Sequence, residues 1–173
     1  MRTKYKITAL LLCLLLSGCY KQDSQLAESS GPSQQIKDLF LFETQNAENK
    51  WNLTASYAQI TNNLEHISLA KPIIEFKEGK KTIARLKSKE GKVNFENKRI
   101  IFTKSVEAKS FQEKIQLNTE QLNYSYKSDK LWSNKRVTLK QHGVTVKGTG
   151  FEANSDLSEI VVKNQETVLR EDS

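Results

Sequence analysis

LKSKEGKVNFENKRIIFTKSV, residues 86–106, and LNTEQLNYSYKSDKLWSNKRV, residues 117–137, lie one above the other without a gap. Leu86, Val93, Phe95, Ile100 and Val106 recur 31 residues later as Leu117, Tyr124, Tyr126, Leu131 and Val137. A fainter copy places Val146, Phe151, Ala153 and Ile160 29 residues after Leu117, Leu122, Tyr124 and Leu131. Within each copy apolar and polar residues alternate over short stretches, which is the pattern of half-buried strands and not of helices. A single unit of this kind cannot bury its apolar face. The repeat therefore predicts neighbouring units along one axis with a continuous interior. The simpler reading, chance similarity among alternating strands, stays open at this point.

The same alternation extends outward from about Ile36 to the end of the chain, so the fold class expected is all-β. Candidate strands run in short pieces, among them Phe40 to Glu43, Trp51 to Ala55, Lys92 to Phe95, Ile100 to Thr103, Val106 to Ala108, Ile115 to Asn118, Leu122 to Tyr126, Lys130 to Ser133, Val137 to Lys140, Val144 to Gly148 and Phe151 to Asn154. Glu78-Gly79-Lys80, Glu90-Gly91, Glu96-Asn97-Lys98, Ser128-Asp129, His142-Gly143 and Asn154-Ser155-Asp156 read as the turns between strands. One stretch is ambiguous: Ala55 to Glu65 carries Tyr57, Ile60 and Leu64 at a spacing that also suits a helix.

Ahead of this domain, Arg2, Lys4 and Lys6 precede an apolar run from Ile7 to Leu16 that is too short to span a bilayer, as in a secretory signal. Leu16-Ser17-Gly18-Cys19 then has the form of a lipobox, which predicts cleavage before Cys19 and acylation of its thiol. Removing residues 1–18 takes away three of 27 cations and none of 20 acids, so net charge falls from +7 to +4. Part of the basicity is therefore a targeting feature. Cys13 leaves with the signal and Cys19 carries lipid, so no thiol remains for a disulfide, a metal or a nucleophile. Residues 19–35 are polar and include Ser29-Ser30-Gly31-Pro32-Ser33, a flexible tether with a root-mean-square span of roughly 20–25 Å. Residues 36–173 form the expected folded domain.

Little in the chain points to catalysis. His66 and His142 stand alone, without the further donors a metal site needs. No nucleophile elbow, zinc-protease or phosphate-loop pattern occurs, and Glu75, Glu78, Glu107, Glu113 and Asp156 fall at turns or on polar strand faces. The chain is read as a non-enzyme with no cofactor. Lys71, Lys77, Lys80, Lys81, Lys87, Lys89, Lys92, Lys98 and Lys104 crowd the middle of the chain, either as a solvated face with edge-strand lysines or as a patch facing anionic headgroups. Nucleic acid is not expected.

Three runs suggest a family. Trp51-Asn52-Leu53-Thr54-Ala55-Ser56-Tyr57-Ala58, Ile67-Ser68-Leu69-Ala70-Lys71-Pro72-Ile73-Ile74-Glu75-Phe76, and Val144-Thr145-Val146-Lys147-Gly148-Thr149-Gly150-Phe151-Glu152-Ala153 resemble the LptC family, the periplasmic component of lipopolysaccharide export, within a superfamily that includes LptA-type bridge proteins. The resemblance covers about Phe40 to Leu169 and favours a strand over Ala55 to Glu65. It implies an open, folded-over β-jelly roll with an apolar trough that shields the acyl chains of lipid A. It also implies transfer from an inner-membrane ABC transporter, through its permease subunits, to a soluble LptA-like bridge by pairing of free strand edges. The lipobox departs from the single transmembrane helix of better-known members, and Tyr20 is not the aspartate that signals inner-membrane retention, so the inner membrane is implied by the family alone.

Strand alternation puts Leu69, Ile74, Phe76, Leu86, Val93, Phe95, Phe102, Val106, Leu117, Leu122, Tyr124, Leu139, Val146, Phe151 and Val168 inside. The expected lipid contacts are Leu69, Phe76, Leu86, Phe95, Phe102, Leu117, Tyr124, Val146, Phe151 and Val168, with Leu69 and Val168 placed where the family has them. Gly148 matches a glycine of the late motif, where a missing side chain permits a close backbone approach or a bulge. The competing reading is a structural or adhesive outer-membrane lipoprotein with a closed β core.

Overall fold

The alternation resolves into twelve strands in a computed structural model that describes residues 34–60 and 66–170. They are β1 (Gln34–Gln45), β2 (Glu48–Ile60), β3 (His66–Ala70), β4 (Ile73–Glu78), β5 (Lys81–Lys87), β6 (Glu90–Asn94), β7 (Arg99–Ser110), β8 (Ile115–Ser125), β9 (Lys130–Gln141), β10 (Val144–Asn154), β11 (Ile160–Val162) and β12 (Gln165–Arg170). The ambiguous stretch after Ala55 is strand as far as Ile60, and residues 61–65 lie outside the described residues. β1 begins at Gln34, two residues inside the segment read as tether.

Pairs of short strands expected from the sequence are halves of long bent ones. Ile100–Thr103 and Val106–Ala108 both belong to β7, and the interruption between them is Lys104-Ser105, whose φ values are 63° and 59°. The ladders slip at the same level between Thr119 and Asn123 on β8 and between Thr149 and Phe151 on β10. Lys71-Pro72 separates β3 from β4 there, Ser88-Lys89 separates β5 from β6, and Lys163-Asn164 separates β11 from β12. A fold line thus crosses the whole sheet.

It divides the sheet into two antiparallel layers. The first contains β3, β6 and β11 with the adjoining halves of β1, β2, β7, β8, β9 and β10; the second contains β4, β5 and β12 with the other halves. β1 borders both layers on one side, while β11 and β12 border one layer each on the other.

The repeat has a direct structural meaning. Cross-strand partners in the second layer form the row Leu41–Leu53–Ile74–Leu86–Ala108–Leu117–Leu139–Val146–Val168, which reaches from β1 to β12. The first layer has a matching row, Ile60–Ile67–Val93–Ile100–Tyr124–Leu131–Ala153–Ile160. Thirty-one residues carry the chain out along one strand, back along the next, and onto the same face of the same row. Repeat units therefore lie edge to edge in one sheet, and their shared interior is the space between its two layers. Each large aliphatic side chain buried there contributes about 1.5–3 kcal/mol relative to exposure.

Backbone hydrogen bonds hold the fold line shut. Lys71 N–H donates to Lys89 O at 2.8 Å, Lys89 N–H to Lys104 O at 3.0 Å, and Ser88 N–H to Pro72 O at 3.2 Å. Glycine is required where chain segments press together. A Cβ on Gly148 would stand 2.7 Å from Lys163 O, on the connection from β11 to β12. One on Gly91 would stand 2.9 Å from Pro72 Cγ. Gly91 was expected in a turn, but it lies inside β6 between Leu69 and Phe102 of the neighbouring strands.

Candidate functional site

At the end opposite the fold line the layers are joined by no backbone among the described residues, only by side chains. Strand turns ring this mouth: those after β1, β4 and β7 from the second layer, and those after β6, β8 and β10 from the first. Between them lies a cleft of about 1020 Å³. Its charged rim includes Glu43, Glu48, Lys50, Glu78, Lys98, Lys127, Asp129, Lys130 and Asp156, and its floor is aromatic: Trp51, Phe76, Tyr124 and Tyr126.

The floor rings come from opposite walls. Trp51 and Phe76 sit on β2 and β4 of the second layer, and Tyr124 sits on β8 of the first. Phe76 meets Tyr124 edge-on at a centroid distance of 4.9 Å, Trp51 meets Tyr124 at 6.4 Å, and Trp51 meets Tyr126 at 6.1 Å. Each of two rings also has a polar tether. Tyr124 Oη donates to Asp129 Oδ1 at 3.0 Å, and Trp51 Nε1 donates to Glu43 Oε2 at 2.5 Å. Burial, reinforced by the Asp129 charge and hydrogen bond and by Glu43, raises the Tyr124 hydroxyl far above its ordinary range. It remains a neutral donor at any physiological pH.

Leu69, Phe76, Leu86, Phe102, Leu117, Tyr124 and Phe151 are buried, and Val146 is half-buried against the same core. Leu86, Leu117, Val146 and Val168 share the second-layer row, while Leu69, Phe102 and Phe151 line the facing layer. Two residues expected inside are not. Phe95 is 44% exposed because β6 stops at Asn94 and Phe95 enters the turn that Lys98 N–H closes onto its carbonyl. Val168 is 53% exposed because β12 is an edge, with Val146 on one side and, among the described residues, no further strand on the other.

The interior is filled by the protein's own side chains. Leu53, Ile74, Leu86, Ile100, Phe102, Leu117, Leu122 and Phe151 are wholly buried. These side chains pack the space between the layers, and the cleft at the mouth opens onto it. Trp51 and Tyr126 were not among the expected site residues. Both are aromatics near strand ends, but their convergence depends on which layers face each other, which spacing along the chain does not reveal.

The remaining candidates form no second site. His66 is half-buried at the start of β3, and His142 occupies the turn between β9 and β10 with φ 48°. Among the described residues no group of three His, Cys, Asp or Glu side chains could hold a metal ion. Glu75 and Glu107 are held in ion pairs on the outer face of the second layer. Lys71, Lys89 and Lys104 follow the fold line, whereas Lys98 reaches the mouth. Cys19, the signal segment and most of the tether lie outside the described residues. Gly148 lies at the close approach described above.

A family model described as lipopolysaccharide-assembly, LptC-related, matches residues 6–169. No curated protein matches the chain.

Proposed function

Because the chain belongs to the LptC-related lipopolysaccharide-assembly family, we propose that it is a lipid-anchored periplasmic component of lipopolysaccharide export. In this reading residues 1–18 are a cleaved signal, Cys19 carries the lipid, and the polar segment up to β1 tethers the domain to the periplasmic face of the inner membrane. The domain receives lipopolysaccharide from an inner-membrane ABC transporter and passes it to a soluble β-jelly-roll bridge.

The observation that carries the reading is the second-layer row, apolar at every strand from Leu41 to Val168. Its ends fade into solvent at two free edges, where another β-jelly roll could add strands and prolong the row. A conduit needs this continuity and needs no catalytic group. Shielding acyl chains at about 25 cal/mol per Å² makes release uphill unless the next site is equally apolar, so net transport requires the transporter's ATPase. Since the interior is filled, acyl chains must displace resident side chains.

Photo-crosslinkers at Leu69, Phe76 and Phe151 should capture lipopolysaccharide in living cells. Adducts confined to exposed control positions such as Glu96, with none at these three, would sink the conduit reading.

A further inference from the structure

The mouth and the interior are separated by one layer of side chains, and those side chains differ in kind from the ones behind them. Deeper positions such as Leu53, Ile74 and Leu117 are aliphatic and have no polar handle. At the mouth, the rings of Trp51 and Phe76 close against Tyr124 from the opposite wall. The indole and the phenol end in hydrogen bonds to carboxylates placed where strands give way to turns, Glu43 near the end of β1 and Asp129 just before β9. Buried Tyr and Trp commonly keep such a polar partner. Here the partner also sets which way the ring can swing.

We propose that Trp51, Phe76 and Tyr124 form a side-chain gate between the aqueous mouth and the apolar interior, latched by Glu43 and Asp129. An acyl chain gains the interior when these rings part. This inference rests on the reading of the interior as a lipid conduit, and it accounts for a conduit that is filled when empty of lipid. The latched state excludes water, and the opened state exchanges ring–ring contacts for ring–lipid contacts of similar character. Each hydrogen bond ties its ring to its own wall, so swinging Trp51 and Tyr124 aside breaks both bonds and leaves the backbone ladders intact. Because Tyr124 stays neutral, the latch responds to the arriving lipid and not to the ionisation of its donor.

Tyr124→Phe and Asp129→Asn both weaken the latch while keeping the side chain's shape. Full-length protein is mixed with purified lipid A, and the Trp51 emission is followed by stopped flow in a Trp132→Phe background. Loss of one hydrogen bond of this type raises the open population about fivefold. Loading should therefore quicken by that factor, with release unchanged, and the double variant should load no faster than Tyr124→Phe alone. Unchanged loading in both variants, in a protein that binds lipid A, would overturn the gate and leave the conduit standing. So would equal acceleration of loading and release, which marks general loosening. Absence of lipid A binding by the unsubstituted protein would overturn the conduit reading and the gate together.

Discussion

The fold line and the mouth close the same interior by different physics. At the fold line the covalent chain crosses from layer to layer, backbone amides bond to backbone carbonyls, and Gly91 and Gly148 admit segments that any Cβ would displace. At the mouth the closure consists of ring contacts between the two walls, with Trp51 and Tyr124 each held in place by a hydrogen bond within its own wall. The first kind of closure cannot open without unfolding strands, whereas the second opens by rotating side chains. In the proposed conduit, a folded-over sheet with one fixed side and one closable side would take up long apolar chains without exposing its core between cycles.

The sharpest way to break the contrast is to damage the fold line. Gly148→Val places branched carbons where Lys163 O and Asn164 O already lie 2.7 and 3.0 Å from a Cβ. Those contacts are backbone and cannot swing aside, so the loss should exceed about 4 kcal/mol, the range of severe single substitutions. A urea midpoint would show it, or the protein would fail to accumulate in folded form. Near-native stability in this variant would mean that the connection from β11 to β12 is a pliable flap and not part of the closure.

The repeat was legible because its period is a property of faces: Leu86, Leu117 and Val146 must share a side of the sheet whatever its overall shape. The fold line was not legible, because at Lys71, Lys104 and Ser105 tertiary structure imposes left-handed backbone on residues that carry no local signal for it. Breaks at these points read as strand ends. Gly91 misled for the opposite reason, since a glycine signals a turn from sequence, while here it makes room for Pro72. Alternation also ran on past β6 and carried Phe95 into the core, though the strand had stopped. The aromatic floor is a contact between layers, so only Phe76 and Tyr124, which alternation already placed inside, could be anticipated.

A smaller effect separates the two ends by alkaline titration. Folding keeps Tyr124 neutral well above its ordinary pKa, with burial as the main cause, and Tyr126 is raised in the same direction, again chiefly by burial. A group whose pKa is higher when folded stabilises fully below its unfolded value, and that contribution is lost as pH rises past it. Stability should therefore decline above about pH 10, by up to about 1.4 kcal/mol per pH unit for Tyr124. Tyr124→Phe should flatten this limb of a denaturation series, leaving the smaller share of Tyr126. An unchanged alkaline limb would show that the mouth is hydrated enough for Tyr124 to ionise in place.

The acid limb belongs to neither end, which makes it the control. On the outer face of the second layer Glu75 meets Lys77 at 3.0 Å and Arg85 at 2.7 Å. Partial burial works to raise the Glu75 pKa, but hydrogen bonds and charge from Lys77 and Arg85 outweigh it and leave the group below its ordinary 4.5. Glu107 is also lowered, by the Lys109 hydrogen bond first, against some burial and with help from Lys87. A carboxylate with a depressed folded pKa stabilises above its unfolded value, and that stability is lost as pH falls through the folded one. Such half-exposed pairs contribute about 0.2–1 kcal/mol. Glu75→Gln should therefore cost that much at pH 7, and the gap from the unsubstituted protein should shrink as pH falls below about 4.5. Because the pairs lie outside both closures, lipid A loading at pH 7 should be the same in Glu75→Gln as in the unsubstituted protein. A change in loading there would mean that the walls move as whole layers, and that the mouth does not open by its side chains alone.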